Sequence, residues 1–287
     1  MTIPQPGGAK RKTGTREWAD CTANAITGCA HGCLYCYARA NALRFQRLAR
    51  GEDWTREALR DLQAPALRRR YPGRVMFPSS HDVTEANLGH CLGAIGRLLA
   101  AGNELLIVSK PTAATAAALA IALDGHKDRV EFRFSITCLT AGARKFWEPG
   151  APALGERIEA LKIVHTAGFR TSVSCEPLLE PWNARQLVAA VAGYVVETIW
   201  IGKARELDGR TAWCRKRMGE ALAMAIEHLQ DWQTPSAVLS IAEGLRGRLA
   251  AETWAKVRFK DSYAEDLRDC GWQIEAGVVL KVPGETP

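Results

Sequence analysis

The sequence predicts an α/β fold: a partial (βα)6 barrel of the TIM type, with parallel strands and a small C-terminal extension. Two observations support this prediction. Six short apolar segments alternate with six helix-forming segments, the pattern of a parallel sheet whose helices cover its outer side. Polar residues follow most of the apolar segments, and functional groups in this fold class gather at the carboxyl ends of the strands. Six units are too few for a complete eight-fold barrel.

The predicted strands are short and rich in apolar and β-branched residues. They span Cys21–Ile26, Arg74–Phe77, Glu104–Lys110, Val130–Thr137, Arg170–Cys175 and Thr198–Gly202.

The predicted helices have apolar residues at helical spacing, and several end at a glycine. They are Ala38–Arg50, a helix capped by Thr84 and closed by Gly102, an alanine-rich helix after Pro111, Gly155–Thr166, Asn183–Val196 and Thr211–Leu229.

Three parts of the chain are predicted. Residues 1–16 have almost no apolar residue and read as a flexible basic arm. Residues 17–231 hold the βα alternation and form the barrel. The pattern changes after residue 231, so residues 232–287 are predicted to be an extension that covers the barrel. Its segments are Ala237–Ala250, Ser262–Cys270 and the strand-like Gln273–Val282.

The composition is that of an ordinary soluble globular protein, with 47% hydrophobic and 24% charged residues. No apolar run reaches the roughly 20 residues needed to cross a bilayer, and the first 18 residues lack an apolar signal core. We therefore expect a cytoplasmic protein with no membrane partner. Nine cysteines are an odd number, which argues against a disulfide framework. The net charge of +7 permits an anionic partner such as nucleic acid.

The most informative stretch is the CxxxCxxC motif of Cys29, Cys33 and Cys36. Three thiolates on one short loop can hold a 4Fe–4S cluster and leave one iron without a protein ligand. An open coordination position suits a metal that reacts with a bound molecule. Two other interpretations stay open at this point. One is a zinc site that takes His31 as its fourth ligand, and the other is a structural or redox thiol cluster.

Polar side chains at five other predicted strand ends favour the reactive interpretation, because a zinc loop does not require them. These residues are Ser79–Asp82, Lys110, Thr137 and Cys138, Cys175 and Glu176, and Gly202 and Lys203.

The cysteine spacing, with Tyr35 just before the last cysteine, resembles the signature of the radical S-adenosylmethionine (SAM) superfamily. Between residues 17 and 207 the chain also resembles a phage-associated radical SAM family without an assigned reaction. The residues that carry this likeness are Glu17-Trp18, Thr27-Gly28-Cys29, Cys36-Tyr37-Ala38, Glu176–Leu179 and Trp200-Ile201-Gly202.

A more distant resemblance is to the spore photoproduct lyases, which repair a thymine dimer in DNA. It rests on Tyr35-Cys36-Tyr37, Ser80-His81-Asp82, the strand that ends at Lys110, the strand Phe134–Thr137 and the helix that contains Arg157.

These resemblances imply two cofactors, a 4Fe–4S cluster on Cys29, Cys33 and Cys36 and SAM on its open iron. They imply an electron donor such as flavodoxin or ferredoxin. They further imply that Lys110 pairs with the SAM carboxylate, for which a compact positive charge is suitable. The other implied SAM contacts are Tyr35, the strand end with Ser80 and Asp82, Ser135, Thr137, Glu176 and the backbone near Gly202. Each of these residues also has an ordinary structural interpretation as a turn, surface or strand residue.

The lyases use a cysteine at the end of the second strand as a hydrogen-atom donor, and Ser79 or Ser80 stands at that position here. This departure argues against the same dimer repair. Cys138 and Cys175 are the candidate replacements, with Tyr37 as a relay, although each cysteine can equally be a small buried hydrophobe. Glu176 is a candidate for proton transfer.

The sequence therefore predicts a radical SAM enzyme whose substrate is a nucleic acid, DNA in the lyase-like case. Two alternatives remain: a radical SAM enzyme that acts on a peptide or small molecule, and a non-enzymatic iron–sulfur or zinc protein that binds nucleic acid.

Overall fold

The computed structural model describes residues 12–49 and 51–284. The strands of this part of the chain are β1 Cys21–Thr22, β2 Ile26–Thr27, β3 Ala58–Leu59, β4 Val75–Phe77, β5 Leu105–Ser109, β6 Val130–Ser135, β7 Arg170–Cys175, β8 Ile199–Ile201, β9 Val257–Phe259, β10 Gln273–Glu275 and β11 Val278–Lys281.

The α-helices are α1 Tyr37–Arg44, α2 Leu88–Ala100, α3 Ala113–Ala122, α4 Ala141–Trp147, α5 Leu154–Thr166, α6 Ala184–Ala192, α7 Leu207–Thr211, α8 Arg215–Asp231, α9 Pro235–Arg248, α10 Ala251–Trp254 and α11 Asp261–Asp269.

One sheet organises the chain. Seven strands lie in the order β1-β4-β5-β6-β7-β8-β9, every neighbouring pair is parallel, and the sheet curls into a half-barrel. Parallel neighbours need crossover connections, and helices supply them. The predicted α/β fold and partial TIM-type barrel are confirmed.

The sheet has an apolar outer face. Side chains alternate along each strand, so Val173 and Cys175 of β7 point toward the helices, while Ser172 and Ser174 point into the half-barrel. The outer side chains pack with apolar residues of α2, α3, α5, α6, α9 and α11 in one large core. This burial of apolar area drives the assembly of the barrel.

The inner face carries a buried ion network, here called the floor network, formed by Arg74, Glu131, Arg133 and Ser172. Both carboxylate oxygens of Glu131 accept hydrogen bonds from cations, one from Arg74 and one from Arg133 at 3.1 Å. Ser172 donates to Glu131 and accepts from Arg133 Nε at 2.9 Å. The network lies in the amino-terminal half of the sheet, against the ring of Trp18.

The structure adds a strand that the sequence did not reveal. Val257–Phe259 pairs in parallel with Ile199–Ile201 and becomes the seventh strand of the barrel sheet. The strand has three residues, with the charged Arg258 between two buried apolar residues. A strand of this length is too short for its alternation of apolar and polar residues to be recognised in the sequence. This strand shows that the part of the chain after residue 231 contributes to the barrel sheet itself. The predicted division of the chain at residue 231 therefore stays a prediction.

The first predicted strand is divided. Cys21–Thr22 joins the barrel sheet, whereas Ile26–Thr27 pairs antiparallel with Ala58–Leu59 in a separate small sheet. In the C-terminal part, the segments at residues 237–250 and 262–270 largely coincide with the helices α9 and α11, and the strand-like segment at 273–282 is a hairpin.

Most of the predicted basic arm, residues 1–11, lies outside the described residues. Within its last part, Gly14–Glu17 forms a 3₁₀ turn. Among the described helices, none combines the length and apolar character required to span a membrane.

Candidate functional site

The cysteine loop joins β2 to α1 and is held by backbone contacts. Cys29 N donates to the carbonyl of Trp54 at 2.9 Å, and Leu34 N donates to that of Trp147 at 2.9 Å. Gly28 has a φ of +95°, and a Cβ there would lie 2.8 Å from the carbonyl oxygen of Arg56, so only glycine fits this approach. Cys36 accepts from Arg39 N at 3.4 Å and caps α1. The loop is therefore a fixed part of the fold.

A cavity of about 450 Å³ opens at the carboxyl ends of the sheet strands, and we call it the active-site cavity. Its size is within the range of ligand pockets, roughly 300–1,000 Å³. Ten of the residues that the sequence singled out line it: Cys29, Cys33, Cys36, Tyr35, Tyr37, Ser80, Asp82, Lys110, Ser135 and Glu176.

The thiols of Cys29 and Cys33 at this cavity are difficult to ionise without a metal. Burial raises the pKa of Cys33 to about 12, although the nearby charge of Lys110 opposes this rise. Burial also raises the pKa of Cys29, and negative charge on Asp82, Cys33 and Cys36 adds to the effect. Three thiols that act on one another in this way lie close together. A cation bound among them would offset the cost of ionising them.

Asp82 is an acceptor for several donors at the edge of the cavity. It accepts from Lys110 N at 2.7 Å, from His31 Nδ1 at 3.1 Å and from the hydroxyl of Ser109. Burial alone would raise the pKa of Asp82, but the charges of His31 and Lys110 and these hydrogen bonds together lower it. The carboxylate is thus held in its ionised form.

Lys110 lies between two carboxylates without a close bond to either. Its Nζ is 4.0 Å from Asp82 Oδ2 and 3.9 Å from Glu148 Oε1, beyond hydrogen-bonding distance. Burial alone would lower the pKa of Lys110, but Cys33, Glu148 and Asp82 raise it. The ammonium group stays charged and retains donors for a further anion.

Glu148 is a site residue that the sequence analysis missed. It is fully buried and accepts hydrogen bonds from Tyr35, from Thr137 at 2.9 Å and from Arg157. Burial alone would raise the pKa of Glu148, but the charges of Lys110 and Arg157 lower it. Asp82, Lys110, Glu148 and Arg157 together form what we call the mouth network. Glu148 follows α4 in the run Phe146–Gly150, where a carboxylate before Pro-Gly looks like an ordinary loop residue.

Lys260 was also missed, because it follows the undetected strand β9. It is 1% exposed, and its Nζ lies 2.9 Å from Glu17 and 3.5 Å from Glu176. Burial raises the pKa of Glu176, and the charge of Lys260 opposes this rise. Glu176 thus lines the cavity while its carboxylate forms an ion pair with Lys260.

Four predicted site residues do not line the active-site cavity. Thr137 bonds to Glu148, and Cys138 is buried beside Cys33, Leu34 and Tyr35. Cys175 is fully buried in the apolar core on the outer face of the sheet. A Cβ on Gly202 would lie 2.8 Å from Glu176 Cγ and 2.9 Å from Lys260 Cγ, so this glycine packs against their side chains. Tyr37, by contrast, lines the cavity and donates to the carbonyl of Ser79.

A second set of ligand atoms overlaps the cysteine motif. The side-chain ligand atoms of Cys29, His31 and Asp82 lie within 4.8 Å of one another, and all three residues are buried. This set could hold a single metal ion. Its Asp82 carboxylate already accepts several hydrogen bonds within the protein.

Comparison with solved structures finds similar chains, each a spore photoproduct lyase. A cysteine-to-alanine mutant bound to dinucleoside spore photoproduct is 17% identical, and a tyrosine-to-phenylalanine mutant is 18% identical, each with a TM-score of 0.49. Each match covers 68% of this chain and 60% of the lyase chain. No protein-family model matches this chain, and no curated protein matches it. The resemblance to the phage-associated family remains a prediction.

Proposed function

We propose that this chain is a radical SAM enzyme that holds a 4Fe–4S cluster on Cys29, Cys33 and Cys36 and binds SAM in the active-site cavity. One observation carries the proposal: three thiols and a partly buried lysine converge on one cavity at the carboxyl ends of a parallel half-barrel. When bound, the cluster and SAM supply one-electron cleavage of the sulfonium and a 5′-deoxyadenosyl radical that abstracts hydrogen from the substrate.

The donors around the cavity fit these cofactors. Three thiols, rather than four, leave one position of a cubic cluster open to a ligand. Lys110 keeps hydrogen-bond donors for a carboxylate, as its distances of 3.9 and 4.0 Å to the nearest protein carboxylates indicate. Ser174 Oγ is buried, lines the cavity and has no hydrogen-bond partner among the described residues. An unpaired buried hydroxyl favours a ligand with a polar atom at this point.

In this proposal the protein residues bind and orient the ligands. Lys110 pairs with the SAM carboxylate, and Asp82 and Glu148 hold the lysine in place. Ser80 and Ser135 contact SAM from the strand ends, and Tyr35 and Thr137 act through Glu148 to fix the wall of the cavity. Glu176 binds SAM or moves a proton, and Gly202 keeps its strand end close to Glu176. Tyr37 relays a hydrogen atom. Cys138 and Cys175 are weaker candidates for this step, since neither lines the cavity.

For the substrate we propose a nucleic acid. Arg16, Lys203 and Arg210 line the same cavity, and the chain carries a net charge of +7, so phosphates near the opening would meet cations. A duplex base would have to be flipped out to reach the cavity. A small acidic electron carrier, flavodoxin or ferredoxin, would supply the electron. A peptide or small molecule is the alternative substrate class, and DNA binding that is insensitive to salt would favour it.

The test is anaerobic reconstitution with iron and sulfide, followed by incubation with SAM and dithionite. We expect 5′-deoxyadenosine to form, and to form faster with single-stranded or duplex DNA. With deuterated DNA, deuterium should enter the deoxyadenosine. If a reconstituted chain with about four irons per protein forms none, the proposed activity is wrong.

The set of Cys29, His31 and Asp82 supports a second candidate, a protein that binds nucleic acid through a mononuclear zinc or iron site. Elemental analysis separates the two candidates. One zinc per chain, with no sulfide and no broad visible absorption, would favour the second candidate. A paired variant test adds to this: Cys36→Ala should abolish cluster binding but leave a Cys29–His31–Asp82 site intact.

A further inference from the structure

A second and larger cavity borders the cysteine loop. It has a volume of about 1,200 Å³, and Ala30, His31 and Gly32 line it, whereas Cys29 and Cys33 line the active-site cavity. The other walls come from α1, Gly51–Asp53 with Thr55, Pro149–Gly150 and the α7–α8 region. Because Arg39, Arg44 and Arg217 line it, we call it the arginine cavity. Among its lining residues, only His31 belongs to a site proposed above.

Arg39 is the buried cation of this cavity. It is 9% exposed, and its guanidinium carbon lies 3.3 Å from the centroid of the Trp213 ring. Stacking on the indole fixes the plane of the guanidinium. Its side chain has no hydrogen-bond or ion-pair partner among the described residues, and its Nε is fully buried. The Nε1 of Trp213 is likewise buried and unpartnered. Buried donors without acceptors are costly, so an acceptor supplied by a ligand is expected here.

The acidic residues that line the arginine cavity accept hydrogen bonds from neighbouring residues of their own loop. Asp53 Oδ1 accepts from the amide of Thr55 at 2.9 Å and from its hydroxyl at 2.7 Å. Glu52 Oε2 accepts from the amide of Ala49 at 2.8 Å. The carboxylates therefore stabilise turns, and neither forms an ion pair with Arg39 within the part of the chain that the structure describes.

Two exposed arginines extend the positive charge to the edge of the cavity. The guanidinium carbon of Arg217 lies 5.4 Å from the Trp213 ring centroid, so this ring contacts both Arg39 and Arg217. Arg44 lines the cavity from α1 and packs over Phe45. Neither Arg44 nor Arg217 has an ion pair among residues 12–49 and 51–284.

We propose that the arginine cavity binds a phosphate-bearing ligand. The planar guanidinium donates two parallel hydrogen bonds to phosphate oxygens, and three arginines match a multiply charged phosphate better than a single carboxylate. The phosphate belongs either to a free nucleotide or diphosphate, or to the backbone of a nucleic acid strand. The site does not depend on the proposed radical chemistry, because its residues belong to a different cavity.

The experiment measures binding to the reconstituted full chain, without SAM or reductant. Titration calorimetry with inorganic pyrophosphate and fluorescence anisotropy with labelled single-stranded oligothymidylate are run in parallel. Arg39→Gln should raise the dissociation constant of the phosphate ligand roughly 10- to 100-fold, since it removes charge-assisted hydrogen bonds. Arg217→Gln, at the exposed edge, should raise it about two- to five-fold.

The matched control is Arg185→Gln, an exposed arginine on α6 that lines neither cavity. It should leave both dissociation constants unchanged. Pyrophosphate binding that depends on Arg39 supports a free phosphate ligand, and oligonucleotide binding alone that depends on it supports a strand backbone. The proposal is overturned if Arg39→Gln and Arg217→Gln weaken binding no more than the control. It is also overturned if citrate, which carries only carboxylates, binds as tightly as pyrophosphate. Failure of SAM cleavage leaves these outcomes unaffected.

Discussion

The half-barrel holds two buried ion networks that differ in how closely their charges meet. In the floor network, both oxygens of Glu131 accept hydrogen bonds from cations. In the mouth network, Arg157 bonds directly to Glu148, but Lys110 stays 3.9 and 4.0 Å from its two carboxylates. One nitrogen of Arg133 in the floor network is buried without a hydrogen-bond partner among the described residues, but Arg133 does not line the active-site cavity. Lys110 lines that cavity and retains donors beside it, so we infer a structural role for the floor and propose ligand binding at the mouth.

The largest predicted effect, and the strongest test of the proposed difference between the two networks, comes from the removal of a cluster ligand at the mouth. Cys33→Ala should lower both iron content and SAM cleavage by more than roughly 100-fold, because even outer-shell changes at metal sites cost 10- to 100-fold. Iron analysis, visible absorption and the deoxyadenosine assay measure the effect.

Cys91→Ala is the matched control, since Cys91 is a fully buried thiol of α2 in the apolar core. It should retain iron and activity and lose only stability. Equal iron content in Cys33→Ala and Cys91→Ala would contradict the assignment of the mouth.

The next largest effects come from one substitution in each network. Lys110→Met should weaken SAM binding roughly 10- to 100-fold, because it removes a charge-assisted contact to the ligand carboxylate. Arg133→Met should destabilise the fold by about 3 kcal/mol, because it removes one of the two cations that pair with the buried Glu131 and leaves only the partly exposed Arg74.

Equilibrium dialysis with SAM and urea unfolding, run on both variants, should therefore give opposite results. A stable Arg133→Met chain with impaired SAM binding would reverse the roles of the two networks.

These contrasts also show how far the sequence could predict the molecule. Cys29, Cys33 and Cys36 are adjacent in the chain, so their spacing predicted the loop directly. Lys110 and Asp82 were found because they follow apolar strands, whose carboxyl ends share one edge. Glu148 and Lys260 follow a short helix and a three-residue strand, and no local pattern marks either position.

The direction of side chains at the strand ends was the second feature that the sequence could not predict. Cys175 and Glu176 are neighbours at the end of β7, but the thiol lies in the outer core while the carboxylate reaches the cavity. Which residue of a strand end points inward depends on the register of the sheet, which pairing with neighbouring strands decides.

The pH dependence of the free energy of unfolding tests the role of Glu131 in the floor network. Burial alone would raise the pKa of Glu131, but Arg133, Arg74 and the Ser172 hydroxyl lower it below its ordinary 4.5. A carboxyl with a lowered pKa in the folded state stabilises the fold above its unfolded pKa, and this contribution is lost as the pH falls through the folded pKa. The free energy of unfolding of the native chain should thus fall below about pH 4.5, by up to about 1.4 kcal/mol per pH unit.

Glu131→Gln should be less stable at pH 7, and its unfolding free energy should change less between pH 5 and pH 3 than that of the native chain. Chemical unfolding at a series of pH values measures the difference. Parallel curves for the two proteins would mean that folding leaves the pKa of Glu131 unchanged, and would contradict its lowered pKa in the folded state.

The smallest predicted effect tests how tightly the mouth is packed. Gly202→Ala would bring a Cβ within 2.8 Å of Glu176 Cγ, so the side chain of Glu176 or Lys260 must move, at a cost of about 1 kcal/mol in unfolding free energy. Gly193→Ala, at a helix end with open space around it, should change stability by less than about 0.5 kcal/mol. Lys110 contacts neither Gly202 nor Glu176 among the described interactions, so SAM affinity should change less than about two-fold. If Gly202→Ala instead weakens SAM binding while stability is unchanged, Glu176 binds SAM rather than moves a proton, and the functional part of the mouth extends across the cavity from Lys110 to the end of β7.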